Sequence, residues 1–287
     1  MSLFDLYACL DYSGAKSRTL QRKHIVLAQV ISSTGRVVVT TGKDREEMSE
    51  FLLGIFRDAT QKGWRIVLGV DHNFGFPRGF YETLTGYPLN NWRQWLDLMQ
   101  YGPLSLDFAD GDARSWAQMI NGIIHQRLRT GSGPFWGPGF SVMKKPGFPY
   151  GRSPFRERRL IEERIPRTQP VFKLGGAGAV GLQSIYGIYH LAWLAGALAK
   201  DNISCFFWPF DGFEPPVKHH VLLEIYPGII NPGPKSDMND AGSGARWLQE
   251  SDRNDRLANY FRYTGSQDLI NQIRSEGWII GMPFQTY

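Results

Sequence analysis

The chain has 287 residues, 42% of them apolar, a net charge of +5 and only two cysteines. That length and apolar content support one large core or two small ones, and exclude a chain too polar to fold. Cys9 and Cys205 are too few for a disulfide scaffold or a thiolate metal site, and both fall in apolar runs, where burial and a reduced state are expected.

The N-terminus enters a strand pattern at once, with Leu3 to Asp11 as the first strand. Segments 24–32 and 36–41 follow as a hairpin around Ser33-Thr34-Gly35, whose residue types suit a tight turn. Asp44 then predicts a helix N-terminus, with Glu46 and Glu47 in its first turn and Met48, Phe51, Leu52, Ile55 and Phe56 at helical spacing. Gly63 ends that helix. Arg65 to Asp71 reads as a near-continuous apolar strand of the kind buried on both faces of a parallel sheet. A hairpin followed by a helical crossover places the first strand beside the fourth, with both C-terminal ends on one edge. Asp11 and Asp71 are then neighbours.

Residues 73–170 are less regular and read as an insertion over that sheet edge. Asn91–Met99 and Ala113–Leu128 carry helical pattern, whereas 131–154 is rich in Gly, Pro and aromatics and lacks periodicity. Such aromatics are expected chiefly to pack the loop onto a core. Order returns at Val171, and a run of glycines, 175–181, leads into a helix ending near Lys200. Its longest apolar run, 185–199, contains His190 and is too short and mixed to cross a bilayer. Strands are expected at 203–208 and 221–226, with His219-His220 as a surface turn before the second. Helical pattern follows at 245–248, 253–262 and 269–274. With no leader pattern and no membrane-spanning segment, a cytoplasmic protein without a membrane partner is expected. Nothing in the sequence sets an oligomeric state.

Three apolar segments run into an acid: Leu6 to Asp11, Ile66 to Asp71, and Val221 to Glu224. A carboxylate at the end of an apolar strand is costly to desolvate unless a cation or hydrogen bonds meet it. Three of them, spread along the chain, point to strands converging on a shared acidic centre able to hold divalent ions through oxygen ligands. The charge is uneven as well. Segment 144–173 holds nine Lys and Arg against three Glu, which accounts for the whole positive balance. Interleaved with Phe148, Tyr150 and Phe155, it reads either as an arm for a phosphate-bearing partner such as nucleic acid or as a solvated surface segment.

The chain resembles the family of predicted nucleases with an RNase H fold known as domain of unknown function 429. The resemblance rests on Asp11-Tyr-Ser-Gly-Ala, Gly69-Val-Asp71 with Phe74-Gly75 close behind, and the 175–181 glycines leading into Gln183 and Gly187. It continues through Trp208-Pro-Phe210, Glu224-Ile-Tyr-Pro227 and Glu276-Gly-Trp-Ile-Ile-Gly281. It implies a single α/β domain over 1–287, an RNase H-like mixed sheet of three antiparallel strands then parallel strands flanked by helices, with 73–170 inserted. It also implies a carboxylate metal site with acids from the first strand, the fourth strand and a late helix. Asp11 and Asp71 match the first two. Asp237-Met-Asn-Asp240 has the late-helix spacing, which puts both acids on one helical face. Gly242 and Gly244 follow directly, each costing a helix about 1 kcal/mol relative to Ala, so Asp255 and Asp268 stand as fallbacks for Asp240.

The expected chemistry is phosphodiester hydrolysis with two Mg²⁺ or Mn²⁺ ions held by Asp11, Asp71 and Asp240, with Glu224 as a ligand or an orienting group. For each acid the plainer alternative is structural: Asp11 as a turn acid accepting from the Ser13 and Gly14 amides, Glu224 as a partner of an Arg. Ser13, Lys16, Lys173, Gly176, Gly178 and Arg156 are the expected phosphate-binding groups. The glycine run lacks the ending of a Walker loop, and close packing of helix on strand explains its glycines about as well. One rival function is an actin-like or sugar-kinase-like phosphotransferase or ATPase, which would use Asp11-Tyr-Ser-Gly14 on nucleotide phosphates; that group normally carries two copies of the core. Another is a non-catalytic scaffold that kept the fold and lost the ions.

Overall fold

The computed structural model describes residues 2–142, 147–230, 234 and 236–284. The chain divides into two compact units, Met1–His72 with Trp193–Ile270 and Trp278–Tyr287, and Asn73–Ala192 with Asn271–Gly277.

The first unit is built on one mixed sheet. Its strands are β1 (Leu6–Asp11), β2 (Val26–Ile31), β3 (Val37–Thr40), β4 (Ile66–Val70), β5 (Cys205–Trp208) and β6 (His220–Glu224). They lie in the order β3-β2-β1-β4-β6-β5. β1, β2 and β3 pair antiparallel; β4 is parallel to β1, β6 to β4 and β5 to β6. β1, β4 and β6 are buried at every position, as their unbroken apolar runs require. After β4 the sheet does not grow in chain order. β5 takes the outer edge, and the chain then returns to place β6 against β4. This puts the C-terminal ends of β1, β4 and β6 side by side.

Helix α1 (Arg18–His24) fills a stretch in which the sequence shows no element. It starts where the Ser17 hydroxyl accepts the Leu20 amide at 3.2 Å, a short-range cap on a seven-residue helix too brief for a periodic signal. Helix α2 (Arg45–Gln61) is the crossover between β3 and β4, and Asp44 and Glu47 close a reciprocal capping box at its start. His220 corrects the expectation of a surface turn. It opens β6 and is buried, with Nδ1 accepting the Ile66 amide at 3.1 Å and Nε2 on the Thr60 hydroxyl at 2.9 Å. Cys9 is buried as expected, while Cys205 is only partly so.

In the second unit, α3 (Phe80–Thr85), α4 (Arg93–Gln100), α5 (Ala113–Leu128) and α6 (Leu160–Arg164) surround an aromatic core. Phe76 meets Trp95 at 4.6 Å between ring centroids, and Phe80 meets Phe172 at 5.0 Å and Phe155 at 5.1 Å. The loop aromatics belong to this packing: Phe148 stacks on Phe155 and Tyr150 on Phe172. Helix α7 (Gly181–Lys200) runs from this unit into the first.

The remaining helices are α8 (Pro227–Ile230), α9 (Asp237–Arg253), α10 (Leu257–Phe261) and α11 (Gln267–Glu276). The expected helix 253–262 is broken by Asp255, whose φ of 55° is left-handed. α9 packs across β1 and β2. At its middle a Cβ on Gly244 would lie 2.4 Å from Cys9 Sγ, so helix and strand approach as closely as a missing side chain permits. At its end the buried Asp252 accepts the Leu3 amide at 2.7 Å and the Tyr7 hydroxyl. No helix among the described residues is long and apolar enough to cross a membrane.

Candidate functional site

The sheet brings three acids to one edge by register alone. Leu10 is opposite Val70, and the Asp71 amide donates to the Leu10 carbonyl at 2.9 Å. Val70 is opposite Glu224, and the Ile225 amide donates to the Val70 carbonyl at 3.1 Å. Asp11, Asp71 and Glu224 therefore end three adjacent strands. Asp11 and Glu224 are buried, and Asp71 is half-buried. Glu224 is held further by a bridge to Ile279, where the Ile280 amide donates to its carbonyl at 2.9 Å.

α9 brings two more acids. Ser236 caps it, its hydroxyl accepting the Asn239 amide at 3.2 Å, so Asp237 and Asp240 lie in the first turn, where the helix dipole favours negative charge. The glycines that left Asp240 in doubt are inside this helix.

Electrostatics shows that these groups act on one another. Burial pushes the Asp11 carboxyl up to about 9, and the charges of Asp71, Asp237 and Asp240 add to it, against one backbone amide from Tyr12. Burial likewise lifts Asp71 to about 7, with Asp240 and Glu224 adding to the shift. Cys9, under α9, is pushed upward by burial and then by Asp71, Asp11 and Asp240, so its thiol keeps its proton. The charges acting on Asp11 and Asp71 come from this set and not from Asp255 or Asp268. Even so, among the described residues no group of three or more His, Cys, Asp or Glu is placed so as to hold a metal ion. The carboxylates lie within electrostatic reach of each other without being drawn into a cage.

The loop after β1 is fixed from outside. The buried Arg45 side chain donates to the Ser13 carbonyl at 2.8 Å and to the Ala15 carbonyl, and Gln21 donates to the Lys16 carbonyl at 3.0 Å. The Ser13 hydroxyl accepts the Ala15 amide at 3.2 Å, and Lys16 is exposed. His72, beside Asp71, is buried edge-on against Tyr12 at 5.1 Å. Sequence reasoning missed Arg45 and His24. His24 Nδ1 lies 2.8 Å from Asp237 Oδ2, and neither residue type nor local spacing signals a pairing across 213 residues.

Lys173, Gly176, Gly178 and Arg156 belong to the second unit. Lys173 Nζ donates to the Ala177 carbonyl at 2.7 Å, spanning the glycine run from within. Gly176 and Gly178 have left-handed φ of 86° and 69°, which a turn requires, while a Cβ on Gly181 would lie 2.5 Å from the Val171 carbonyl oxygen. Arg156 pairs with Glu163 at 2.8 Å. Arg158 donates to the Glu162 and Thr168 carbonyls, and Arg159 is buried against Glu162 at 2.8 Å. Much of the basic segment's charge thus serves its own fold. Lys144 and Lys145 lie outside the described residues.

No family model, no curated protein and no solved structure matches this chain.

Proposed function

We propose that this chain is a metal-dependent phosphodiester hydrolase with an RNase H-like core, in keeping with its resemblance to the domain of unknown function 429 family. One observation carries the reading: Asp11, Asp71 and Glu224 end three neighbouring strands, and α9 adds Asp237 and Asp240 close enough for their charges to repel. Crowded anions of this kind cost stability unless something cationic meets them. The donor set is all hard carboxylate oxygen, which suits Mg²⁺ or Mn²⁺ rather than a thiolate-seeking metal. Asp11, Asp71, Asp240 and Glu224 would hold the ions, which when bound would activate water and offset charge on the leaving oxygen. Without an ion, burial and the charges of Asp71, Asp237 and Asp240 hold the Asp11 carboxyl well above the usual carboxylate range. Arg45 sets the Ser13–Lys16 loop beside the acids, where Ser13 and Lys16 would meet a phosphate.

A non-catalytic scaffold is the second reading. It is favoured by the absence, among the described residues, of three side chains already gathered for an ion. Incubation with labelled DNA, RNA and small phosphodiesters, with and without Mn²⁺, separates the two. Hydrolysis is expected only with Mn²⁺, and Asp11→Asn should reduce it to background. A wild-type protein that cleaves none of these, or a variant that cleaves as well as wild type, removes the hydrolase reading.

A further inference from the structure

The second unit holds an open cleft of about 930 Å³, walled by the start of α3, the segment 150–158, α6 and α11. Its walls meet on one buried carboxylate. Glu276 accepts the Leu160 amide at 2.6 Å and the Arg78 amide at 2.8 Å, so a single side chain of α11 holds two other walls. A Cβ on Gly79 would lie 2.2 Å from the Pro154 carbonyl oxygen, which closes the start of α3 onto the loop. These contacts fix the cleft without a ligand, and its volume is in the range that encloses a small organic molecule.

Three arginines line it against four glutamates, a near balance that gives a polyanion no advantage. The charges are unequally engaged. Glu276 is taken up by those amides and by the Gln272 side chain at 3.1 Å, Glu163 by Arg156 at 2.8 Å, and Glu82 accepts the Leu89 amide at 3.2 Å. Arg158 differs. Its Nη1 donates to the Glu162 and Thr168 carbonyls at 3.2 and 3.0 Å, and no carboxylate among the described residues pairs with it. Neutral carbonyls hold the guanidinium in place without offsetting its charge. Its Nε–Nη2 edge remains for two oxygens of one anionic group.

We propose that this cleft binds a phosphate monoester on a polyhydroxylated body, a sugar phosphate or a mononucleotide, with Arg158 taking the phosphate. Sugar hydroxyls suit the mixed lining, because each can donate to a glutamate oxygen and accept from Gln272. Such binding needs no metal ion and stands apart from the hydrolase reading.

Calorimetry on the full chain in EDTA, with ribose 5-phosphate, AMP, adenosine and inorganic phosphate, tests the assignment. Ribose 5-phosphate should bind more tightly than inorganic phosphate, and adenosine should not bind. AMP tighter than ribose 5-phosphate marks a mononucleotide site; AMP equal or weaker marks a sugar-phosphate site. Arg158→Lys keeps the charge and a donor for the carbonyls but loses the fork, and should weaken ribose 5-phosphate about 10-fold or more. Arg152→Met, exposed in the same segment and outside the cleft, should bind as wild type does. Glu163→Gln, which frees Arg156 at an exposed position and leaves the fold intact, should tighten binding about 2–5-fold. Neither phosphate compound binding the wild-type chain overturns the proposal. So does an Arg158→Lys chain that binds as tightly as wild type, an equal loss in Arg152→Met, or a Glu163→Gln chain that binds no more tightly.

Discussion

His220 shows how much a single ring can commit to a fold. Its Nδ1 accepts the Ile66 amide, so Nε2 carries the proton and donates to the Thr60 hydroxyl, which itself donates to the Phe56 carbonyl at 2.7 Å. A second ring proton would point at an N–H and leave that donor unmet. Burial, reinforced by Arg65 and His219, accordingly lowers the His220 pKa from 6.5 to about 4. Between those values the unfolded chain takes up a proton that the folded chain refuses. The stabilisation is therefore complete above pH 6.5 and is lost as pH falls toward 4, by about 3 kcal/mol at most. His220→Asn, which does not titrate, should be less stable than wild type at pH 7 and should converge with it by pH 4.5 in urea unfolding. Parallel pH profiles for the two proteins would show that the ring's proton has no part in stability.

At the scale of one element, α9 decides whether the acidic edge gains its last members. Local propensity speaks against a helix at Asp237–Asp240, because two glycines follow, and the sequence gives no way to weigh that against packing. The structure separates the two glycines. A Cβ on Gly244 would meet Cys9 Sγ at 2.4 Å and Cys9 Cβ at 3.0 Å, whereas a Cβ on Gly242 has nothing within 4 Å. Gly244→Ala should therefore destabilise by about 1–3 kcal/mol despite the better helix propensity of alanine. Gly242→Ala, two residues away, should stabilise by about 0.5–1 kcal/mol. Opposite signs in thermal unfolding are the expected outcome; a stabilised Gly244→Ala would mean that α9 lies farther from β1. The first strands, their hairpin and the capped crossover were legible because short-range chemistry specifies them: turn residues, a capping Asp and unbroken apolar runs. The return of β6 inside β5, the burial of His220 and the His24–Asp237 contact were not, since each is settled by partners distant in sequence.

Across the whole molecule, the proposed metal-dependent reading makes the acidic edge a balance that pH and a divalent ion would push in opposite directions. Asp11 at about 9 and Asp71 at about 7 both titrate well above the usual carboxylate value of 3.8. From pH 4 upward the unfolded chain releases protons that the folded site retains, so this site's contribution to metal-free stability falls steadily as pH rises through 7 and 9. On the proposed reading a bound cation would replace those protons, and its affinity should rise over the same interval. Each tenfold gain in affinity at saturating ion contributes about 1.4 kcal/mol, or about 2–4 °C in a protein of this size. Thermal unfolding at pH 6, 7.5 and 9, with EDTA and with 5 mM Mn²⁺, should show the two curves diverging as pH rises. In Asp11→Asn the metal-free curve should fall less with pH and the Mn²⁺ increment should shrink. An increment that is constant with pH, or one that survives Asp11→Asn intact, would locate the ion elsewhere and leave the strand-end acids as an unrelieved strain within the sheet.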